Sequence, residues 1–129
     1  MMARLFLLAH GRSGDKGDIV NIGVIARRPE WFAVLVRELS AARVEEFLSP
    51  IARGPVERYE LENLGALNFV VHRALGGGGA MTLQLDAQGK TYAPALFHMP
   101  VELSEELARE VKVHWGEALP ADCVVSDSD

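Results

Sequence analysis

The chain has 129 residues, 49% of them apolar and 24% charged, with a net charge of −5. One domain of this length buries roughly two-thirds of its unfolded surface, so disorder over most of the chain is excluded. The one cysteine, Cys123, excludes an internal disulfide and a cysteine-based metal cluster. No apolar run approaches the roughly 18 residues that cross a bilayer, and the chain is read as cytoplasmic.

Residues 2–9 form an apolar run ended by Gly11, which predicts a buried strand and is too short for a signal peptide. Residues 10–18 read as a polar, glycine-containing loop. Residues 19–27 read as a second strand, paired antiparallel because so short a connection cannot make a crossover. Pro29 begins a helix that carries Trp31, Phe32, Leu35 and Leu39. Ser40 caps a second helix with Val44, Phe47 and Leu48. Residues 56–62 read as a half-exposed strand. Asn63 is then placed as the cap of a helix over 64–75 that Gly76 ends. Leu64, Leu67, Val70, Val71, Ala74 and Leu75 lie at helical spacing, but Asn68 interrupts the apolar face and Phe69 falls opposite it. Residues 81–85 and 90–101 read as strands around a turn at 86–89. Ser104 caps a last helix with Leu107, Val111, Trp115 and Leu119 at steps of four.

Charge is unevenly distributed. Residues 1–28 carry a balance of +3, and the remaining 101 residues −8. An acidic chain of this kind is not a nucleic-acid binder, because phosphate backbones need a basic surface. A small anion held by the N-terminal segment fits the pattern. The densest signal there is Arg12, Ser13, Gly14, Asp15, Lys16, Gly17 and Asp18 behind Gly11. Glycines let successive amides converge on an anion, while Arg and Lys add charge and Arg a planar fork. The aspartates can instead hold the cations, satisfy a structural turn, or act as a base. The segment is not a P-loop, since its first glycine is misplaced and neither Ser nor Thr follows Lys16. Asn21 interrupts an apolar strand as Asn68 does an apolar face, so each needs a hydrogen-bond partner. Gly76, Gly77 and Gly78, with Gly79, form a run that either cradles an anion or loosens a hinge. His10, His72, His98 and His114 show no metal spacing. Cys123 has no cationic neighbour to activate it.

These residues carry a resemblance. The segment from Gly11 to Gly23 resembles the opening signature of the AtuA-like ferredoxin-fold domain family. Residues 63–70 and 74–78 resemble its second signature, and residues 83–90 its closing hairpin. The resemblance spans about residues 3–101. It implies an α+β, ferredoxin-like sandwich in which helices cover one face of a mostly antiparallel sheet. It also implies acyl-CoA and terpenoid-type breakdown, and a partner: a separate large AtuA-like subunit or copies of the chain itself. No catalytic role carries over residue by residue.

Residues 1–103 are therefore expected to be the AtuA-like domain, 104–119 an additional helix, and 120–129 an acidic, disordered tail. The leading expectation is a small subunit or accessory domain binding an anionic small molecule, an acyl-CoA or organic acid. Its ligand-binding residues are Arg12, Ser13, Gly14, Asp15, Lys16, Gly17, Asp18, Asn21, Asn68, Gly76, Gly77 and Gly78. No metal, cofactor, membrane or nucleic acid is assigned. One alternative is an oligomerisation module in which Arg12, Asp15, Lys16 and Asp18 form an internal network, with Phe69 and the last helix at the interface. The other is a self-sufficient lyase or hydratase using Asp15, Asp18 or His10.

Overall fold

Leu5, Leu7 and Leu8 cannot all reach one core from a single extended strand, because successive side chains alternate. In the computed structural model the expected 2–9 strand is accordingly broken. β1 (Met2–Arg4) leads into a 3₁₀ turn at Leu5–Leu7, and β2 (Ala9–Lys16) starts beyond it. Leu5, Leu7, Leu8 and Ala9 are all fully buried. The structure describes residues 1–52, 54–72, 92–120 and 124–125, with backbone alone at 92–94 and 124–125.

The segment read as a polar loop is thus mostly strand. β2 and β3 (Ile19–Ala26) pair antiparallel from Ala9↔Ala26 to Lys16↔Ile19, which leaves Gly17 and Asp18 as the whole turn. Gly17 has φ 65°, the left-handed backbone that tight hairpin turns require. Pro29 starts a short 3₁₀ turn, and α1 follows at Phe32–Glu38. The Ser40 hydroxyl accepts from Arg43 N at 3.1 Å and caps α2 (Ala41–Leu48). β4 (Val56–Leu61) and β5 (Ala66–Val71) are joined through Gly65, at φ 59°.

β5 corrects the expected 64–75 helix. Leu67, Phe69 and Val71 face the core, while Asn68 and Val70 face away and are only half buried. The period is two rather than 3.6, and both irregularities in the helical reading follow from it. A second correction falls within the expected 90–101 strand: among its described residues α3 (Tyr92–Phe97) is a helix, and β6 (Pro100–Glu102) is the strand. α4 (Glu105–Trp115) is capped by Ser104, whose hydroxyl accepts from Leu107 N at 3.1 Å. Within the segment expected as a tail, β7 (Val124–Val125) pairs with β1. The expected strand at 81–85, the turn at 86–89, Cys123 and the acidic end at 126–129 lie outside the described residues.

Two antiparallel sheets result. The larger has the order β2-β3-β5-β4, and the smaller β6-β1-β7. Helices cover one face of the larger sheet: α1 over β3 and β5, α2 over β4, and α3 over β2 and β3. Val20, Ile22, Val24, Leu67, Phe69 and Val71 pack beneath them. Arg58 closes the end of α1, donating to the carbonyls of Val36 at 2.8 Å and Leu39 at 3.1 Å. Glu38 joins that helix to the smaller sheet by accepting from Glu102 N at 2.8 Å, and it also accepts from Arg37 and Arg43. Burial raises the Glu38 carboxyl, but the Glu102 amide, Arg37 and Arg43 together outweigh it and hold the group below the usual carboxylate range. α4 is anchored through Trp115, whose Nε1 donates to Leu7 O at 2.8 Å beneath the Arg27 guanidinium.

Candidate functional site on the open sheet face

Strand pairing fixes what the uncovered face of the larger sheet displays, because residues directly opposite each other share a face. One row runs His10, Ile25, Ala66, Leu61. The next runs Arg12, Gly23, Asn68, Tyr59, and a third Gly14, Asn21, Val70, Glu57. Lys16 stands one step further along β2. Arg12, Lys16, Asn21 and Asn68, spread over 57 residues of sequence, therefore come together on one surface.

Arg12 and Lys16 are both exposed. Among the described residues neither makes an ion pair or a side-chain hydrogen bond. Four residues of strand set their backbones about 13 Å apart, so the two long side chains can converge on one anionic group or hold an extended anion at two points. Ser13 and Asp15 lie on the other face of β2, by their pairing with Ile22 and Val20. The expected internal network of Arg12, Asp15, Lys16 and Asp18 is absent: no ion pair joins any of them. Asp15 lies across the strand from the two cations, on its opposite face. Gly17 and Asp18 form the hairpin tip.

Asn21 and Asn68 answer one another, with Asn68 Nδ2 donating to Asn21 Oδ1 at 3.4 Å. Gly14 and Gly23 leave the face hollow beside them. A Cβ at Gly14 would meet nothing within 4 Å, and one at Gly23 only Arg12 O at 3.9 Å. Gly11 has a different reason to be glycine. Its Cβ would sit 1.7 Å from Gly23 O and 3.3 Å from Phe97 Cζ, so β3 and α3 close over it. Gly76, Gly77 and Gly78 lie outside the described residues.

Sequence reasoning missed the far edge of this face. Tyr59 donates to Glu57 Oε2 at 2.9 Å, and the other oxygen of Glu57 is hydrogen-bonded to His72 Nε2. The hydrogen bond from His72, then that from Tyr59, holds the Glu57 carboxyl below its ordinary value, and Glu57 pushes the Tyr59 phenol up. The alternation of Glu57, Tyr59 and Leu61 in a half-exposed strand was the available signal. Ile25, Tyr59 and Leu61 are exposed at 38%, 49% and 44%, and Leu64 beside them in the β4–β5 connection at 69%. Phe69, expected at an interface, is fully buried.

Elsewhere among the described residues, three surface cavities are lined by other groups. The largest, about 500 Å³, lies between Pro29, Phe32, Val36, Glu60 and Glu62. None of the three is lined by a residue expected from sequence to bind a ligand. No group of three or more His, Cys, Asp or Glu among the described residues converges on a metal-sized site. No described helix is long and apolar enough to cross a membrane.

An antiparallel sheet with helices on one face, and with no described element over the other, defines an α+β protein of ferredoxin-like build. The family model of the AtuA ferredoxin-like domain matches residues 3–102, and the chain belongs to that family. Neither a curated protein nor a solved structure matches it.

Proposed function

We propose that this chain is an accessory subunit that binds an anionic small molecule, an acyl-CoA or an organic acid, on the open face of its larger sheet. It works in acyl-CoA or terpenoid-type catabolism with copies of itself or with a larger AtuA-like subunit. The observation that carries the reading is the pair Arg12 and Lys16: two exposed cations on one face, with no carboxylate partner among the described residues. The hollow at Gly14 and Gly23 gives a ligand room to lie flat against the backbone. The Asn21–Asn68 pair supplies amide donors and acceptors at its floor.

The strand geometry refines the expected cradle. Residues 11–16 are extended along β3, so their amides do not converge on one point and the recognition rests on side chains. Coenzyme A suits a pair of cations, because it carries a diphosphate and a separate 3′-phosphate. Calorimetry with coenzyme A, and with succinate as a simple carboxylate, tests the reading. A hydrogen bond to a charged group is worth about 1.5–3 kcal/mol, so Lys16→Ala should weaken binding at least tenfold. Unchanged affinity, or no heat from either probe, refutes it.

A further inference from the structure

We infer that the occupant of the open face is a second copy of this chain, stacked sheet against sheet about a two-fold axis that runs along the strands between β3 and β5. The inference rests on reading that face as the functional one, and it names the partner. In a sheet ordered β2-β3-β5-β4, such an axis lays β2 over the partner's β4 and β3 over the partner's β5.

The rows described above are complementary under that operation. Ile25 stands over the partner's Ala66, and Asn68 over the partner's Gly23, so large side chains meet small ones across the centre. Arg12 stands over the ring of the partner's Tyr59, an arrangement that favours a cation above an aromatic face. Gly14 stands over the partner's Glu57, which brings that carboxylate between Arg12 and Lys16. Packed sheets cross at about 30°, which shifts the outer strands by about one residue and keeps the partner's Glu57 within that span. Among the described residues Asn21 Nδ2 and Asn68 Oδ1 are unused within one copy; Asn21 stands over the partner's Val70 and Asn68 over the partner's Gly23, which sets the two Asn pairs side by side at the centre. The exposed Ile25, Tyr59 and Leu61 are covered at the same time. An axis perpendicular to the strands would instead set Arg12 and Lys16 against their own copies, so charge selects between the two packings.

Each seam then holds two cations against one carboxylate. One positive charge remains on each side, and the anion of the proposed function binds there, between copies. Four strands by about six residues give a footprint of about 400 Å² per copy. At about 800 Å² in total that falls below the standard interface and in the range of weak, transient association, so the dimer should dissociate at concentrations on the order of tens of micromolar.

Sedimentation equilibrium over a concentration series tests this. Wild type should pass from monomer to dimer between about 1 and 100 µM. The Arg12→Glu/Lys16→Glu variant alone and Glu57→Lys alone should each stay monomeric over that range, because both seams become like-charged. Their equimolar mixture should recover a dimer, since both seams are then oppositely charged. Circular dichroism melting confirms that each variant is folded, and recovery in the mixture shows this independently. A monomeric wild type, separate variants that still dimerise, or a mixture that stays monomeric overturns the inference. Coenzyme A calorimetry on the same samples separates the two readings. A wild-type dimer that binds no anion sinks the proposed function alone, whereas a monomer that binds coenzyme A sinks the dimer alone.

Discussion

Replacing Gly11 by alanine should be far more damaging than replacing Gly14, although both are exposed glycines of the same strand. At Gly11 the added Cβ falls 1.7 Å from the Gly23 carbonyl oxygen, and ring atoms of Phe97 lie 3.3 Å away on the other side. Non-bonded carbon and oxygen need more than 3 Å, so β2 must move off β3 by over an ångström. That displacement takes about two ladder hydrogen bonds beyond bonding range, at a net cost of about 1 kcal/mol each. Overpacking against Phe97 adds about 1–2 kcal/mol. The sum, about 3–4 kcal/mol, corresponds to a fall of about 10–15 °C in Tm for a domain of this size. Gly14→Ala meets open space and loses unfolded-state entropy, so it should be neutral or stabilising by up to about 1 kcal/mol. Urea unfolding followed by circular dichroism, with the m-value held constant, measures both. A cost below 1 kcal/mol at Gly11, or an equal cost at Gly14, refutes the claim that backbone approach rather than turn formation fixes the first glycine.

Phe69→Ala should cost about 3–5 kcal/mol in the same urea assay, because a fully buried ring at the centre of the sheet leaves a cavity. Glu38 has a folded pKa below its unfolded one, so its stabilisation is present above the ordinary glutamate value of about 4.3 and is lost as pH falls through the lower folded value. Glu38→Gln should therefore flatten stability against pH in that acid window, as read by urea midpoints from pH 2 to 6, and an unchanged acid limb would contradict it. Glu57→Gln should bring the Tyr59 phenol back down toward 10, seen by absorbance titration of phenolate, because Glu57 is what raises it. An unmoved tyrosine transition would show that the pair does not persist in solution.

Helix caps and the signature residues were legible in the sequence, because each rests on local chemistry. Ser40 and Ser104 cap the helices expected of them, through bonds only three residues long. β5 was not legible as a strand, because Ala66, Leu67, Phe69, Val70 and Val71 make a nearly continuous apolar run that satisfies helical and strand spacing alike. The decisive clue was Asn68, out of place on a helix and correctly placed on the bare side of a sheet. β2 was hidden by composition. Glycine and charge are depleted in strands, yet an edge strand with one exposed face accommodates them. Which of the candidate residues share a face depended on pairing across three strands, which no local window contains. The Tyr59–Glu57–His72 edge needed that same register to be seen.

The position of β1 has a consequence for biosynthesis. Met2 pairs with Glu102 on one side and with Val125 on the other. β1 thus has no neighbours until a segment about 100 residues further along has been made, whereas β2 and β3 can close at once through their two-residue tip. The hairpin bearing Arg12 and Lys16 then forms early and the small sheet late.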